Sequence, residues 1–441
     1  MVPFPAQGHL NQMLQLSCYI SSYGIPVHYA GSAVFNHQAR LRVNSLNPTD
    51  VDKINFHDLP VKPFASPPPV PNPSKKFPTH LQPAWDAAMS MAGPLGELMR
   101  SLSVKHRRVI VIHDPLIGSV VKDVAAIPNA ESYGFICLSA YCQLKFVLER
   151  MGKVCPIPRL RELPPIASLI SEEIAYFIGL QDEGTGLRSG DIINTCREIE
   201  GTFLEILEVT GDMKTWAIGP LVPVKSESRH PIFKWLDKQA PRSVIFVSFG
   251  TTTTLTDDEV SVIAEGLERS RHKFIWVLRE ADKANVFDGE PRRVELPEGF
   301  KERVGERGVV MREWAPQPEI LAHPSTAGFM SHCGWNSCNE SIKMGVPMAA
   351  WPMHSDQPIN AVLVTETLKV ALPVRKWLAE TGEVVTAQMV EDVVRRLIAS
   401  EDGQDVRKRA EELAAVVRGA TEEGGASELE MNAFIAHIKR Q

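Results

Sequence analysis

Short apolar runs alternate with longer amphipathic segments along most of this chain. RRVIVIHD and SVIFVSFG are apolar enough for strands buried on both faces, whereas Leu10–Ser22 has apolar residues at the spacing of one helix face. The change from strand to helix recurs in both halves of the chain. Such alternation predicts an α/β fold built from doubly wound parallel sheets.

The same pattern gives bounds for the remaining elements. Met1–Phe4 is predicted to end a first strand, and its shortness suggests that N-terminal residues are missing. A break between two helices is predicted at EDGQD, residues 401–405. Further strands are predicted at Pro26–Ala30, Lys53–Leu59, Tyr133–Leu138, Gly190–Cys196, Lys273–Leu278 and Val309–Arg312. Further helices are predicted at Thr79–Leu102, Ile117–Ala126, Asp257–Ser270, Val384–Ser400, Asp405–Gly419 and Ser427–Lys439.

A change in composition divides the chain. Gly219–Pro231 is rich in proline, serine and charge, as linkers are. We therefore predict an N-terminal domain at residues 1–222, a linker at 223–231 and a C-terminal domain at 232–426. The last helix, within 427–441, is predicted to pack back on the first domain. A length of 441 residues suits two domains of about 200 residues each.

Composition and charge exclude several classes of protein. Apolar residues make up 44% and charged residues 23% of the chain, which is typical of globular proteins. A net charge of −6 argues against a nucleic acid or an anionic membrane as partner. The seven cysteines lack paired spacings, which indicates reduced thiols and a cytoplasmic protein. No apolar run reaches the roughly 18–20 residues of a membrane span, and no signal peptide opens the chain.

The densest chemistry lies in residues 314–357. Within this stretch, GFMSHCGWNS predicts a buried strand that turns at Gly334 into a helix. The first turn of a helix has unpaired N–H groups and a partial positive charge, so this turn can bind an anion. His332, Asn336 and Ser337 lie around the turn and can donate hydrogen bonds to phosphate oxygens.

Other side chains of the same stretch suit the rest of a nucleotide sugar. Trp314 offers a flat apolar face to a base. Glu340, one helical turn beyond the anion site, can accept hydrogen bonds from two vicinal hydroxyls of a ribose. Asp356 and Gln357 supply acceptor and donor groups for sugar hydroxyls. Base, ribose, diphosphate and sugar together predict a nucleotide-sugar site.

In its residues and spacing, this stretch closely resembles the plant secondary-product glycosyltransferase box. That box is a signature of UDP-sugar-dependent glycosyltransferases that act on small molecules, and the resemblance extends over 44 residues. It implies the GT-B architecture, in which two doubly wound domains face a cleft. The N-terminal domain would bind the acceptor and the C-terminal domain the UDP-sugar. The resemblance also implies UDP-glucose as co-substrate, with no other cofactor and no metal.

The resemblance assigns roles to individual residues. Those implied to contact uracil and ribose are Trp314, Ala315, Gln317 and Glu340. Those implied to hold the diphosphate are His332, Asn336, Ser337, and Gly250 and Thr251 in the turn SFGTTTT. Those implied to lie at the sugar are Trp335, Asp356, Gln357 and Ser139. His354 stands where an aromatic residue is frequent in the box, close to the expected acceptor. The threonine run is equally typical of a helix N-cap at Thr256.

A histidine and an aspartate elsewhere predict a general base. MVPF runs into PAQGH, which places His9 at the carboxyl end of a strand, and Asp114 ends the strand RRVIVIHD. Ligands of open α/β sheets bind at that edge, so both side chains are expected to face one crevice. A carboxylate that holds a histidine fixes its tautomer and stabilises its protonated form, as a general base requires. The alternative is a core histidine and a capping aspartate; the family resemblance favours a catalytic His9 oriented by Asp114.

Motifs for other chemistries are weaker. Asp50 and Asp52 have the DxD spacing of metal-dependent glycosyltransferases, but they precede a predicted strand instead of following one. His332 and two nearby cysteines suggest zinc but lack a fourth ligand. GTGLRSG, residues 184–190, lacks the spacing of a dinucleotide site and precedes a strand. We therefore expect no metal and no nicotinamide cofactor.

The predicted function is inverting, metal-independent transfer of glucose from UDP-glucose to a hydroxyl of a small plant molecule. PFPAQGHLNQMLQLS, IPVHYAG, VSFGTTTTLTDDE and WPMHSDQP resemble cytokinin O-glucosyltransferases, which implies the side-chain hydroxyl of cis- or trans-zeatin as acceptor. Flavonoids or simple phenols are alternative acceptors, and xylose is an alternative sugar. A non-catalytic protein that binds a nucleotide sugar or a hormone is the alternative class. We expect a monomer.

Overall fold

The computed structural model describes residues 1–43, 46–70, 76–182, 186–211, 213–222, 230–290, 294–375 and 384–440. Parallel sheets lie in both halves of the chain, and helices pack on them. This arrangement confirms the predicted α/β class. Among the described residues, no helix combines the length and the apolar character needed to cross a membrane.

The N-terminal half contains strands β1 to β6. They are β1 (His28–Gly31), β2 (Asn55–Asp58), β3 (Val109–His113), β4 (Ala130–Ile136), β5 (Arg188–Ile193) and β6 (Thr215–Ala217). Strand β1 pairs with β2, and β3 to β6 pair in chain order. The first two residues join these groups, because Val2 bridges to His113 and the Met1 carbonyl accepts the N–H of Ala30 at 2.9 Å. The chain then turns directly into a helix at the carboxyl edge of the sheet.

Helices of this half follow the predicted alternation, with differences that include the unpredicted helices Ala33–Leu41, Pro48–Val51, Pro158–Glu162, Ile166–Leu169 and Glu172–Gly179. The α-helices are Gln7–Ser22, Ala33–Leu41, Pro48–Val51, Gln82–Ala88, Ala92–Lys105, Ala140–Arg150, Pro158–Glu162, Ile166–Leu169, Glu172–Gly179 and Arg197–Gly211. The predicted helix Thr79–Leu102 is instead four consecutive pieces, since a 3-10 turn at Thr79–Leu81 precedes the first α-helix and another at Met89–Met91 separates it from the second. Pro83 and Pro94 lie near the start of those α-helices, where a missing N–H is tolerated. Pro115–Ala126 is a 3-10 helix, and β6 was not predicted.

The C-terminal half forms one six-stranded parallel sheet in the order β12-β11-β10-β7-β8-β9. Its strands are β7 (Val244–Ser248), β8 (Lys273–Val277), β9 (Gly308–Met311), β10 (Thr326–Ser331), β11 (Met348–Ala350) and β12 (Ala371–Pro373). The chain moves outward from β7 to β9 and returns to β10, so the strand order reverses between β7 and β10. Ligands of doubly wound sheets bind at such a reversal, at the carboxyl ends of the strands.

Helices of the C-terminal half differ from prediction at one break, and the helices Phe233–Leu236, Phe300–Val304, Gln317–Ala322 and Gln357–Val362 were not predicted. The α-helices are Phe233–Leu236, Asp257–Ser270, Phe300–Val304, Gln317–Ala322, Trp335–Met344, Gln357–Val362, Ala387–Ala399, Glu401–Thr421 and Ala426–Lys439, with a 3-10 turn at Gly305–Arg307 and a π-turn at Leu363–Thr367. The break predicted at residues 401–405 is wrong, because these residues lie inside the helix Glu401–Thr421. The break falls at Ser400, whose hydroxyl caps the N–H of Gly403 at 3.1 Å.

The last helix, Ala426–Lys439, contacts the N-terminal half. Phe434 packs its ring 5.4 Å from that of Tyr133 and 5.1 Å from that of Trp216. The hydroxyl of Ser427 donates to the carbonyl of Gly219 at 2.6 Å. The division at 1–222, 223–231 and 232–426 stays a prediction, and residues 223–229 lie outside the described residues.

Candidate active site

One cavity of about 790 Å³ lies between the two halves of the chain. His9 and Asp114 line it from the N-terminal half, and Gly250, Trp314 and His332 line it from the C-terminal half. These residues follow strand ends, so the cavity occupies the carboxyl edges of both sheets. It therefore lies where the strand order predicts a ligand.

The predicted dyad is formed. Nδ1 of His9 lies 2.6 Å from Oδ2 of Asp114, and the other oxygen of Asp114 accepts the N–H of Leu116 at 2.9 Å. Asp114 is 2% exposed and acts as the N-cap of the helix Pro115–Ala126. Because both carboxylate oxygens are engaged, the imidazole is held in one orientation. Its Nε2 remains as the nitrogen that can accept a proton.

Electrostatics act on His9 in two directions. Burial lowers the pKa of His9, whereas the charge and hydrogen bond of Asp114 and the charge of Asp356 raise it. The net result is a pKa above the ordinary value of 6.5. The dyad therefore stabilises the protonated imidazole that a general base becomes during proton transfer.

His332 occupies the turn between β10 and the helix Trp335–Met344. A Cβ atom at Gly250 or at Gly334 would lie 2.5 Å from its Nε2, so the ring needs a glycine on each side. Burial lowers the pKa of His332 to about 4, which keeps the ring neutral. The helix has no side-chain cap, so its first N–H groups remain available for an anion.

Hydrogen bonds fix the polar side chains of the helix that follows His332. Nδ2 of Asn336 donates to the carbonyl of Gly8 at 2.9 Å and so reaches the N-terminal half. Nε2 of Gln317 donates to Oγ of Ser337 at 2.9 Å and to Glu340 at 2.7 Å. Burial raises the pKa of Glu340 to about 7, although the bond from Gln317 opposes the shift. A carboxyl group that titrates near neutral pH thus stands at the predicted ribose position.

Trp314 lies at the rim of the cavity beside two arginines that sequence reasoning missed. The guanidinium carbons of Arg42 and Arg279 lie 4.8 and 5.5 Å from the centre of its indole. Both arginines pair with Asp282. Ala315 and Thr251 also line this part of the cavity. Neither arginine stands in a sequence motif that would indicate such a contact.

The predicted sugar residues form a compact turn before the helix Gln357–Val362. Oδ2 of Asp356 accepts a hydrogen bond from Asn360 at 2.6 Å, and burial raises the pKa of Asp356. Oε1 of Gln357 accepts the N–H groups of Met353 at 2.9 Å and His354 at 3.0 Å. Burial, His332 and Lys76 lower the pKa of His354 to about 3, so its ring is neutral.

Comparisons with known proteins agree with this geometry. The family model "Glycosyltransferase, N-terminal domain" matches residues 1–223, and the model "UDP-glucoronosyl and UDP-glucosyl transferase" matches residues 222–395. The chain belongs to the UDP-glycosyltransferases. Its co-substrate is a UDP-sugar, and its acceptor is a small molecule.

This glycosyltransferase is similar to plant enzymes over its whole length. It is 50% identical to zeatin O-glucosyltransferase of Phaseolus lunatus, with 100% of this chain and 96% of that protein covered. It is 48% identical to zeatin O-xylosyltransferase of Phaseolus vulgaris, with 100% and 97% covered. A solved structure, Phytolacca americana UGT2 complexed with UDP-2fluoro-glucose and pterostilbene, matches with a TM-score of 0.80 at 26% identity, covering 100% of this chain and 99% of that one. These matches confirm the predicted GT-B architecture.

One predicted sugar residue of the glycosyltransferase, Ser139, lies outside the cavity lining, whereas Trp335 lines the cavity although it is largely buried. Ser139 is fully buried and is not among the described residues that line the cavity. Its hydroxyl caps the N–H of Cys142 at 3.0 Å and donates to Asn360 at 2.7 Å, so it reaches Asp356 only through Asn360. Trp335 lines the cavity, but its indole is 2% exposed and donates to a carbonyl of the N-terminal half.

The acceptor side of the glycosyltransferase cavity is largely apolar. Phe4 packs its ring 5.2 Å from His9 and 5.2 Å from Trp85. Nε1 of Trp85 is buried without a hydrogen-bond partner among the described residues. Sequence reasoning missed these walls, because aromatic residues in helices and loops are usually core residues. The other aromatic residues that line this side are Phe77, Phe146 and Phe177.

The described side chains that lie close enough together to hold a metal differ from both sequence candidates. Among the described residues, ligand atoms of His9, Asp114 and Cys137 all lie within 4.8 Å of one another. Asp50 instead forms an exposed ion pair with Lys53 at 2.7 Å and does not line the cavity. The cysteines near His332 are fully buried in the core.

Proposed function

We propose that this UDP-glycosyltransferase transfers glucose from UDP-glucose to the side-chain hydroxyl of zeatin, in its cis or trans form. The observation that carries the proposal is the pair of His9 and Asp114, 2.6 Å apart, in the same cavity as the nucleotide-sugar residues. Relatives named for zeatin, at 50% and 48% identity over the whole chain, support the acceptor. A flavonoid or a simple phenol is the alternative acceptor.

In the proposed mechanism His9 is the general base. Its Nε2 takes the proton of the acceptor hydroxyl while that oxygen forms a bond to the anomeric carbon, on the face opposite UDP. The bond between the anomeric carbon and the diphosphate oxygen breaks, and its electron pair leaves with UDP. Asp114 stabilises the resulting imidazolium. The product is a β-glucoside.

The donor residues complete the proposal. His332, Asn336, Ser337 and the amides of the helix Trp335–Met344 stabilise the charge that grows on the leaving diphosphate. The proposed contacts to uracil and ribose are Trp314, Ala315, Gln317 and Glu340. Those near the phosphates are Gly250 and Thr251, and those at the sugar are Trp335, Asp356 and Gln357. His354 is proposed to face the acceptor.

We further propose that the reaction needs neither a metal nor a cofactor beyond the UDP-sugar. The neutral donors and helix amides around His332 support this, because they can stabilise the leaving group on their own. We also propose that the protein acts as a monomer in the cytoplasm, in line with its free cysteines and net negative charge.

UDP-xylose is the alternative donor, and its use should be compared directly with that of UDP-glucose. The relative that is 48% identical over the whole chain is a zeatin O-xylosyltransferase. UDP-xylose lacks the last carbon of glucose, so it can enter a site built for the larger sugar. Equal kcat/KM for UDP-glucose and UDP-xylose would contradict a glucosyltransferase in the strict sense.

The decisive experiment is a UDP-release assay in EDTA. UDP-glucose is offered with cis-zeatin, trans-zeatin, quercetin or a simple phenol. Release confined to zeatin supports the proposal, and release confined to the phenolics overturns the acceptor while keeping the reaction. No release with any acceptor, while UDP-glucose still binds, contradicts the proposed acceptor and the catalytic role.

We expect that His9→Ala lowers kcat by about 10²–10⁴-fold, since a general base contributes that much. UDP affinity, measured by calorimetry, is expected to stay within about twofold because the donor site lies on the C-terminal half. A parallel loss of UDP affinity would mean that His9 belongs to the donor site instead.

A further inference from the structure

The cavity extends along one face of the helix Ala140–Arg150. Gln143, Phe146, Val147 and Arg150 all line it. Residues spaced three and four apart share one face of a helix, so these four side chains form one wall. Seven residues at a rise of 1.5 Å give this wall a length of about 10 Å.

Residues of the N-terminal sheet also line the cavity, and they include a pair of opposite charges. Arg188 and Asp191 of β5 line the cavity, and Asp191 is in register with Gly134 of β4. Gly134 precedes Cys137 by three residues, and the thiol of Cys137 lies within 4.8 Å of the dyad atoms. Three strand residues span about 10 Å, which agrees with the length along the helix.

The pair is partly buried and incompletely hydrogen-bonded. Nε of Arg188 and Oδ1 of Asp191 lie 3.3 Å apart, and the two side chains are 11% and 13% exposed. Neither atom has a hydrogen-bond partner among the described residues. Both residues line the cavity, so their remaining polar atoms can offer a donor beside an acceptor to a ligand there.

We propose that Arg188 and Asp191 bind the purine ring of the acceptor at the edge opposite its side chain. Asp191 accepts a hydrogen bond from N9–H, and Arg188 donates to N3. In an extended N6-substituted adenine, this edge lies about 10 Å from the side-chain hydroxyl at bond lengths near 1.4 Å. The side chains of Phe146, Val147 and Leu207 supply apolar walls for the ring.

This inference rests on the proposed function and narrows it. A purine with a sugar on N9 lacks the N9–H that would donate to Asp191, and the sugar adds bulk beside the charge pair. The free base is therefore expected to bind more tightly than its nucleoside, by about tenfold for one lost hydrogen bond to a charged group.

The test measures binding without turnover. The ligand is N6-(2-isopentenyl)adenine, which has the purine and side chain of zeatin but no hydroxyl. Calorimetry with UDP present compares the wild type with Asp191→Asn and with the double variant Arg188→Met, Asp191→Leu. The double variant removes both charges together, so it leaves no buried charge unpaired. Glu131→Gln is the control, because Glu131 lies on the neighbouring strand, pairs with Arg108 and does not line the cavity.

We expect about tenfold weaker binding in both variants and no change in the control. The wild type should prefer the free base to its N9-riboside, and the double variant should lose that preference. Wild-type affinity in a folded double variant would overturn the subsite, as would unchanged KM for zeatin. If the wild type neither binds the isopentenyl base nor glucosylates zeatin, the proposed acceptor is itself wrong.

Discussion

At the scale of single residues, two titrating groups govern the cavity. The net effect of Asp114, Asp356 and burial raises the pKa of His9 above 6.5, and burial raises the pKa of Glu340 to about 7. A general base must be neutral to accept a proton, whereas Glu340 must be ionised to accept two ribose hydroxyls. Catalysis and donor binding are therefore both expected to weaken as the pH falls through this region.

The pH dependence of catalysis tests the dyad. With both substrates saturating, kcat of the wild type is expected to fall as the pH decreases, with a midpoint above 6.5 because the folded protein holds the proton on His9 more tightly. In Asp114→Asn the carboxylate no longer opposes burial, so the midpoint moves to lower pH. A midpoint that does not move would remove Asp114 as the cause.

Glu340→Ala tests the ribose contact. UDP affinity at pH 8 is expected to fall about tenfold, because a hydrogen bond to a charged acceptor is lost. In the wild type the affinity should also fall below pH about 7, where Glu340 gains its proton. Exposed Glu313 does not line the cavity, so Glu313→Ala is the control for calorimetry.

The residues of the site were predictable to different extents. His9 and Asp114 could be paired from sequence because both follow strands that end at one sheet edge. Ser139 could not be placed, since its position after β4 allows a cap as readily as a ligand contact. Arg188 falls in the segment before the predicted strand and Asp191 near the start of that strand, and only the tertiary fold opens a cavity beside them.

At the scale of elements, the helix Glu401–Thr421 contains Gly403, because only a glycine fits against the end of the preceding helix. A Cβ atom at Gly403 would lie 2.0 Å from the carbonyl oxygen of Arg396. The sequence suggested a break there because glycine weakens helices, and local sequence contains no information about the neighbouring helix end. Strand and helix alternation, by contrast, repeats a local pattern and was predicted well.

Gly403→Ala is expected to lower the midpoint of thermal unfolding, contrary to the usual effect of this substitution in a helix. The reason is the clash with the Arg396 carbonyl. Gly419 is in the same helix, and a Cβ atom there would meet nothing within 4 Å, so Gly419→Ala is expected to stabilise by about 0.5–1 kcal/mol. Unfolding followed by circular dichroism would reveal opposite signs; equal signs would contradict the packing argument.

At the scale of the whole molecule, side chains of the N-terminal half hold the donor side of the cleft. Arg42 pairs with Asp282 and lies over Trp314, and His80 contacts the carbonyl of Asp282 at 2.9 Å. Two doubly wound domains could be predicted from the alternation and the length of the chain. The contacts of Arg42 and His80 could not be predicted from the sequence, because each joins residues more than 200 positions apart.

Arg42→Ala is expected to raise KM for UDP-glucose by about three- to tenfold with little change in kcat, since the indole of Trp314 loses one supporting cation. Arg159→Ala is the matched control, because Arg159 also joins the two halves, through Glu366 at 2.7 Å, whereas the cations over Trp314 are Arg42 and Arg279. Equal effects of the two substitutions would indicate a general loosening of the cleft.

The carbonyl of Asn194 accepts hydrogen bonds from Nε1 of Trp335 and Nδ2 of Asn339, both at 2.9 Å. The helix that begins at the phosphate turn is therefore anchored to the opposite half of the chain. Exchanging halves between relatives, to combine one acceptor range with another donor, would separate the two sides of this anchor. Because the acceptor is a backbone carbonyl, any residue at position 194 supplies it, so a chimeric enzyme should keep Trp335 and Asn339 as the donors.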